Sequence, residues 1–192
     1  AFTNTHTSPE KLRKIANEIA NFEGAVMLDI ATRADCLENE KILVLKEIAR
    51  KIPVTVELGL QSSNDKTAKI INRGHDFNTF VDCVSRLRTL APEIKIGIHI
   101  INGLPGENYE DMIKTVRDVS KLHPNLIKIH LLHVIEGTPL AAMYKNGEYT
   151  PMAREDYIKT VCDQIEILLP DTVVERVTGD GISDGLLAPE WS

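Results

Sequence analysis

The sequence lacks the marks of several common protein classes. No stretch approaches the roughly 20 consecutive apolar residues of a membrane-spanning helix, and no charged-then-apolar leader opens the chain. Lysine and arginine number 22 against 28 aspartates and glutamates. The resulting net charge of -6 is the opposite of the basic footprint that drives phosphate-backbone binding. Only three cysteines occur, Cys36, Cys83 and Cys162, and their spacing contains no CxxC or CxxxC pair. An odd, scattered set excludes a disulfide framework and reads as buried free thiols in a reducing compartment, hence a cytoplasmic protein. Walker loops, GxGxxG and HExxH are also absent.

What is present is an alternation of helical and strand patterns along 192 residues, 43% of them hydrophobic, enough for a single domain over residues 1–192. Ser8 and Pro9 open a helix with Leu12, Ile15, Ile19 and Phe22 at helical spacing, ending near Gly24. Strand patterns follow at residues 25–31, 54–61, 94–101, 126–134 and 172–178. Helices fall between them at 38–51, through Ile71, at 76–90, 107–122, from Pro139, and at 152–169. Strands alternating with helices at intervals of about 25 to 40 residues imply right-handed βαβ units and a parallel sheet.

Each strand carries two unlike faces. Residues 94–101 place Ile94, Ile96, Ile98 and Ile100 on one side, with Lys95, Gly97, His99 and Ile101 on the other. Residues 54–61 repeat this, with Thr55, Glu57, Gly59 and Gln61 on the polar side. A doubly wound sheet covered on both faces needs strands that are apolar throughout. These strands instead pool Asp29, Glu57, Gln61, Lys95, His99, Lys128 and His130, with Arg176 as a further candidate, on one concave surface. The expected fold is α/β, a partial (β/α)6 TIM-like barrel of parallel strands, with its site at the C-terminal strand ends.

The residue types on that surface leave several chemistries open. Alternation puts His130 and His133 on opposite faces of their strand, so only His99 and His130 converge, and Asp29 with Glu57 must complete any metal site. That is the route to a metal-dependent barrel hydrolase. Asp29 and Glu57 also form a candidate acid/base pair, or are charge-paired to Lys95 and Lys128. Gly103-Leu104-Pro105-Gly106-Glu107 is either a tight βα turn or a place where backbone approaches a ligand. The glycine-rich turn at residues 179–181 carries the same two readings, and no role is assigned to Arg176 or Asp180.

Six motifs taken in order give the chain a family resemblance. THTSPEKL, ATRADCL, VELGLQ, INRGHDF, IKIHLLHVIEGTPL and VTGDGISDGLLAP, together with GLPGE, resemble the radical S-adenosylmethionine (SAM) superfamily. Within it they are similar to the bacterial YhcC/YtqA family, in the branch of anaerobic coproporphyrinogen oxidase and the Elongator-type enzymes. The resemblance implies SAM bound beside a [4Fe-4S] cluster, an electron donor, and reductive cleavage to a 5'-deoxyadenosyl radical. By analogy it also implies a tRNA substrate modified at the wobble uridine, and it implies no membrane partner.

Position by position, the resemblance puts Thr3 at the methionine end of the cofactor, with Asp29, Glu57, Gln61, Arg73 and His99 around it. Gly103 abuts the adenine and Leu132 closes the pocket; no catalytic residue is implied. Such enzymes hold their cluster through three closely spaced cysteines, and Cys36, Cys83 and Cys162 lack that spacing. The expectation is therefore a fragment truncated at its N-terminus, with first strand and cluster loop upstream, inactive alone. A binding domain that has lost the cluster is the non-catalytic alternative.

Overall fold

The computed structural model describes residues 5–179 and 185–192. Thr3 and Asp180 lie outside this range. Five strands, β1 (Leu28–Thr32), β2 (Val54–Gln61), β3 (Lys95–Asn102), β4 (Leu126–Leu131) and β6 (Val173–Arg176), form one parallel sheet in the order β1-β2-β3-β4-β6. The helices are α1 (Pro9–Ala20), α2 (Asn39–Ala49), α3 (Asp65–Ile70), α4 (Phe77–Leu90), α5 (Tyr109–Ser120), α6 (Pro139–Lys145) and α7 (Arg154–Ile167). A small antiparallel pair, β5 (Val134–Ile135) with β7 (Leu186–Ala188), stands apart from the sheet.

The strand order carries a structural consequence. Each new strand is added on the same side of the last, and right-handed crossovers then send all the helices to one face. That face is the core: Leu28, Ile30, Val56, Leu58, Ile96, Ile98, Ile127 and Ile129 pack against Leu12 of α1, Ile42 and Leu45 of α2, Phe80 of α4, Val116 of α5 and Tyr157 of α7. Fully burying one such side chain contributes about 1.5–3 kcal/mol. Among the described residues no helical layer covers the opposite face, which carries the polar residues of β2, β3 and β4. Side-chain caps fix several helix starts, with Ser8 accepting from Lys11 N, Asp76 from Thr79 N, and Asn108 forming a reciprocal capping box with Asp111.

The structure corrects the sequence reading in three places. The first strand begins at Leu28, not residue 25, because its ladder starts where Leu28 N donates to Pro53 O; Val26 is 78% exposed. The strand expected over 126–134 ends at Leu131, and Val134 and Ile135 belong to the small second sheet. Of the three thiols, only Cys83 is buried; Cys36 is half-buried and Cys162 is exposed.

Candidate functional site

A cavity of about 470 Å³ opens at the C-terminal ends of β1, β2 and β3, lined by Thr32, Arg33, Glu57, Gln61, Arg73 and His99. This volume lies within the range of small-molecule sites. β2 reaches it through an irregularity: Gly59 pairs with His99, yet Gln61 pairs with Ile100, so one extra residue bulges the strand. Gln61 then adopts φ 73°, the left-handed region that a non-glycine residue enters at a cost. A bulge of this kind re-aims the side chain that follows it.

Two polar atoms in this wall are buried without a partner, Gln61 Oε1 and Arg73 Nε. Buried polar groups are nearly always satisfied, so an orphaned acceptor and an orphaned donor on two residues of one cavity wall point to a ligand. Arg73 is anchored at its other end, where Nη2 donates to Gly59 O. A β-carbon on Gly59 would lie 2.8 Å from Arg73 Nη2 and 2.9 Å from Gln61 Nε2, so glycine is what lets both side chains cross the strand. Burial, and then the nearby Arg33 guanidinium, hold the Arg73 pKa below its ordinary value.

The floor of the site is an ion network. Glu57, 8% exposed, accepts from His99 Nε2 at 2.8 Å and from Lys128 Nζ at 2.6 Å, and Lys128 also reaches Glu175 at 3.4 Å. Burial works to raise the Glu57 carboxyl, but Lys128 and His99 outweigh it and hold the pKa below the usual carboxylate range. Because an ionised carboxylate only accepts, His99 Nε2 carries the proton. Burial pushes the His99 pKa down against the pull of Glu57. Gly97 opposes Glu57 across the ladder, and a β-carbon there would press on Glu57 Cγ at 3.3 Å.

Of the residues expected from the sequence, Glu57, Gln61, Arg73 and His99 come together in this cavity. Asp29 is exposed on β1, level with Thr55 and away from the lining. Gly103, at φ 83°, faces Met152 and gives its carbonyl to Tyr149 OH at 2.8 Å. Leu132 packs on Val134, Ala141, Tyr149 and Ala188 in a separate small apolar cluster. Sequence reasoning missed Arg33, His6 and Cys36 as lining residues, although Arg33 and Cys36 sit in the ATRADCL motif. Cys36 Sγ lies 3.7 Å from His6 Nδ1.

A larger depression, about 930 Å³, lies on the outer side between the starts of α1 and α2 and the middle of α4. Its charged groups are already satisfied: Arg86 donates to Asp82, Asn39 and the Leu37 carbonyl, and Lys41 pairs with Glu38. It offers volume without an orphaned group, so the smaller cavity is the better candidate.

Among the described residues no group of three or more His, Cys, Asp or Glu side chains is placed to hold a metal ion. Cys36 sits in a short turn after β1, Cys83 points from α4 into the core, and Cys162 is on the outside of α7. An iron–sulfur cluster therefore does not fit these cysteines. The orphaned Gln61 Oε1 and Arg73 Nε do fit a polar ligand with both donors and acceptors, such as SAM.

The sequence model of the radical SAM superfamily matches residues 3–119, and that of the Radical_SAM C-terminal domain matches residues 124–192. The chain belongs to the radical SAM superfamily. It is 42% identical over its whole length to the uncharacterized protein YtqA of Bacillus subtilis, and spans 59% of that protein. It is 34% identical over 158 residues to a tRNA uridine(34) acetyltransferase of Methanocaldococcus infernus, covering 80% of this chain and 28% of that one. The structure of the archaeal Elp3 from Methanocaldococcus infernus superimposes with a TM-score of 0.77 at 25% identity, covering 92% of this chain and 41% of that one. The parallel α/β sheet, whose strands follow one another in sequence order, is thus the radical SAM fold, and the family resemblance of the motifs is borne out.

Proposed function

We propose that the cavity between β1, β2 and β3 is the SAM site of a radical SAM enzyme. The observation that carries this is the pair of orphaned buried atoms, Gln61 Oε1 and Arg73 Nε, on two residues that line one cavity at the C-terminal strand ends. SAM brings an ammonium and hydroxyl donors, a carboxylate, and a sulfonium whose S–C5' bond would be the one cleaved, with methionine as the leaving group. Gln61 Oε1 accepts from a donor of the ligand, and Arg73 Nε–H donates to an acceptor. His99, its Nε2 held by Glu57, is fixed in ring orientation and presents its remaining edge to the cavity. Glu57, charge-paired with Lys128 and hydrogen-bonded by His99, sets the shape of the floor. The placements of Thr3, Asp29, Gly103 and Leu132 around the cofactor stay with the family resemblance, and the cavity itself supplies no support for them.

The finer reading is that the intact protein cleaves SAM reductively, with a [4Fe-4S] cluster held outside this chain's own cysteines and an electron donor, and acts on tRNA at the wobble uridine. The tRNA uridine(34) acetyltransferase relative supports the substrate, and the acidic composition does not. Calorimetric titration of the intact protein with SAM tests the site. Gln61→Ala and Arg73→Ala are each expected to weaken binding about tenfold by removing one partner of a buried hydrogen bond, with melting temperature little changed. Unchanged affinity in both variants removes them from the site.

A further inference from the structure

The concave face holds a second group of side chains that the cavity does not absorb. Because β4 stops at Leu131 and the chain turns before Val134, His133 does not point away from His130 as strand alternation requires; both come to lie beside Gly179. A β-carbon built on Gly179 would stand 3.6 Å from His130 Nδ1 and 3.6 Å from His133 Cε1. The His130 ring in turn lies 5.3 Å from the His99 ring, centroid to centroid, tilted by 49°. The two imidazoles thus extend the cavity wall from β3 across β4.

Three properties of this corner define what it can take. His133 Nε2 is buried with no partner, a hydrogen-bonding group left open inside the protein. Of the nearby charges, Glu57 pairs with His99 and Lys128, and Lys128 with Glu175, while the Arg176 guanidinium also acts on His130. Burial also pushes both imidazoles down, His130 to about 4, so at neutral pH they are uncharged. Finally, Gly179 is not in the left-handed backbone region, and a β-carbon there would make only ordinary contacts. Neither backbone nor packing demands glycine; a side chain there would lie against His130 Nδ1 and His133 Cε1.

We propose that His130 and His133, overlooked by Gly179, form a subsite next to the cofactor cavity for a neutral, planar, hydrogen-bonding ring, an RNA nucleobase. Imidazole faces stack on bases, and each neutral ring offers one donor and one acceptor to a base edge. The choice of a nucleobase rests on the RNA-modifying reading above; the open subsite itself does not.

The probe is uridine, titrated to millimolar concentration into the intact protein while the imidazole Cε1–H resonances of the six histidines of this chain are followed by NMR. His130 and His133 are expected to shift saturably with uridine and not with ribose 5-phosphate. Gly179→Leu covers both rings and is expected to weaken uridine about tenfold, as is His133→Ala through the lost hydrogen bond, each with an unchanged melting temperature. Gln61→Ala is expected to keep the uridine response while SAM affinity falls, so the cofactor reading and the nucleobase subsite fail separately. Shifts confined to other histidines, or a Gly179→Leu response equal to that of the wild type, overturn the subsite. An equal response to ribose 5-phosphate overturns the assignment to a neutral base.

Discussion

Acid is predicted to destabilise this protein through His130, and the size of the effect follows from its surroundings. Burial, then the neighbouring His99, Arg176 and Lys128, push the His130 pKa down to about 4, with Glu57 pulling weakly the other way. An unfolded histidine titrates near 6.5, so above that pH the residue is neutral in both states and contributes nothing. As pH falls from about 6.5 towards about 4, the unfolded chain binds a proton that the native state refuses, and stability is lost. Integrated down to pH 4.5, the loss is about 2–3 kcal/mol, at the lower end because the ring is partly exposed. For a chain of this size that lowers the melting temperature by about 5–10 °C. His99 and His133 are shifted in the same direction, and the depressed Glu57 carboxyl loses its contribution as pH falls through its own folded pKa. Comparison with His130→Asn isolates the one residue. Urea denaturation at pH 7.5 and 4.5 should show the wild type losing about 2 kcal/mol more than the variant. Equal losses in the two proteins refute the argument.

Further perturbations separate site from scaffold. Gly59→Ala is expected to displace the Arg73 and Gln61 side chains, which a β-carbon meets at 2.8 Å and 2.9 Å, and to weaken SAM binding about tenfold by calorimetry with little loss of stability, since flexible side chains give way. Gln164→Leu breaks the buried amide pair in which Asn102 Nδ2 donates to Gln164 Oε1 at 2.9 Å and Gln164 Nε2 donates to Asn102 Oδ1 at 2.8 Å; stranding Asn102 should cost about 1–3 kcal/mol in urea unfolding. Gly103→Ala should also destabilise, by about 1–3 kcal/mol in the same assay, because φ is 83° and its β-carbon meets Met152 at 3.1 Å. Lys128→Met leaves Glu57 with His99 as its hydrogen-bonded partner and should raise the carboxyl pKa, read by carbon-detected NMR.

The two-faced strands made the fold legible in the sequence. Isoleucines alternating with Lys95, Gly97 and His99 declared a sheet covered on one side, and the observed order β1-β2-β3-β4-β6 explains why one side is bare. The same alternation placed Glu57 and His99 together, because they sit on adjacent parallel strands two ladder steps apart. It failed where periodicity stops. His133 was assigned to the wrong face because nothing local marks the end of β4 at Leu131, which depends on pairing between Val134 and Ala188 far along the chain. The bulge at Leu60 that turns Gln61 is likewise invisible in VELGLQ, since it is a mismatch with β3. Arg33 and His6 reach the cavity from loops, where spacing carries no facial information.

The most direct test of the central claim is an experimental structure of the intact protein with SAM bound. The predicted result is ligand density between β1, β2 and β3, with Gln61 Oε1 and Arg73 Nε each hydrogen-bonded to it and His99 at its edge. Density in the outer depression beside Arg86, or a bound ligand that leaves both orphaned atoms unpaired, contradicts the account.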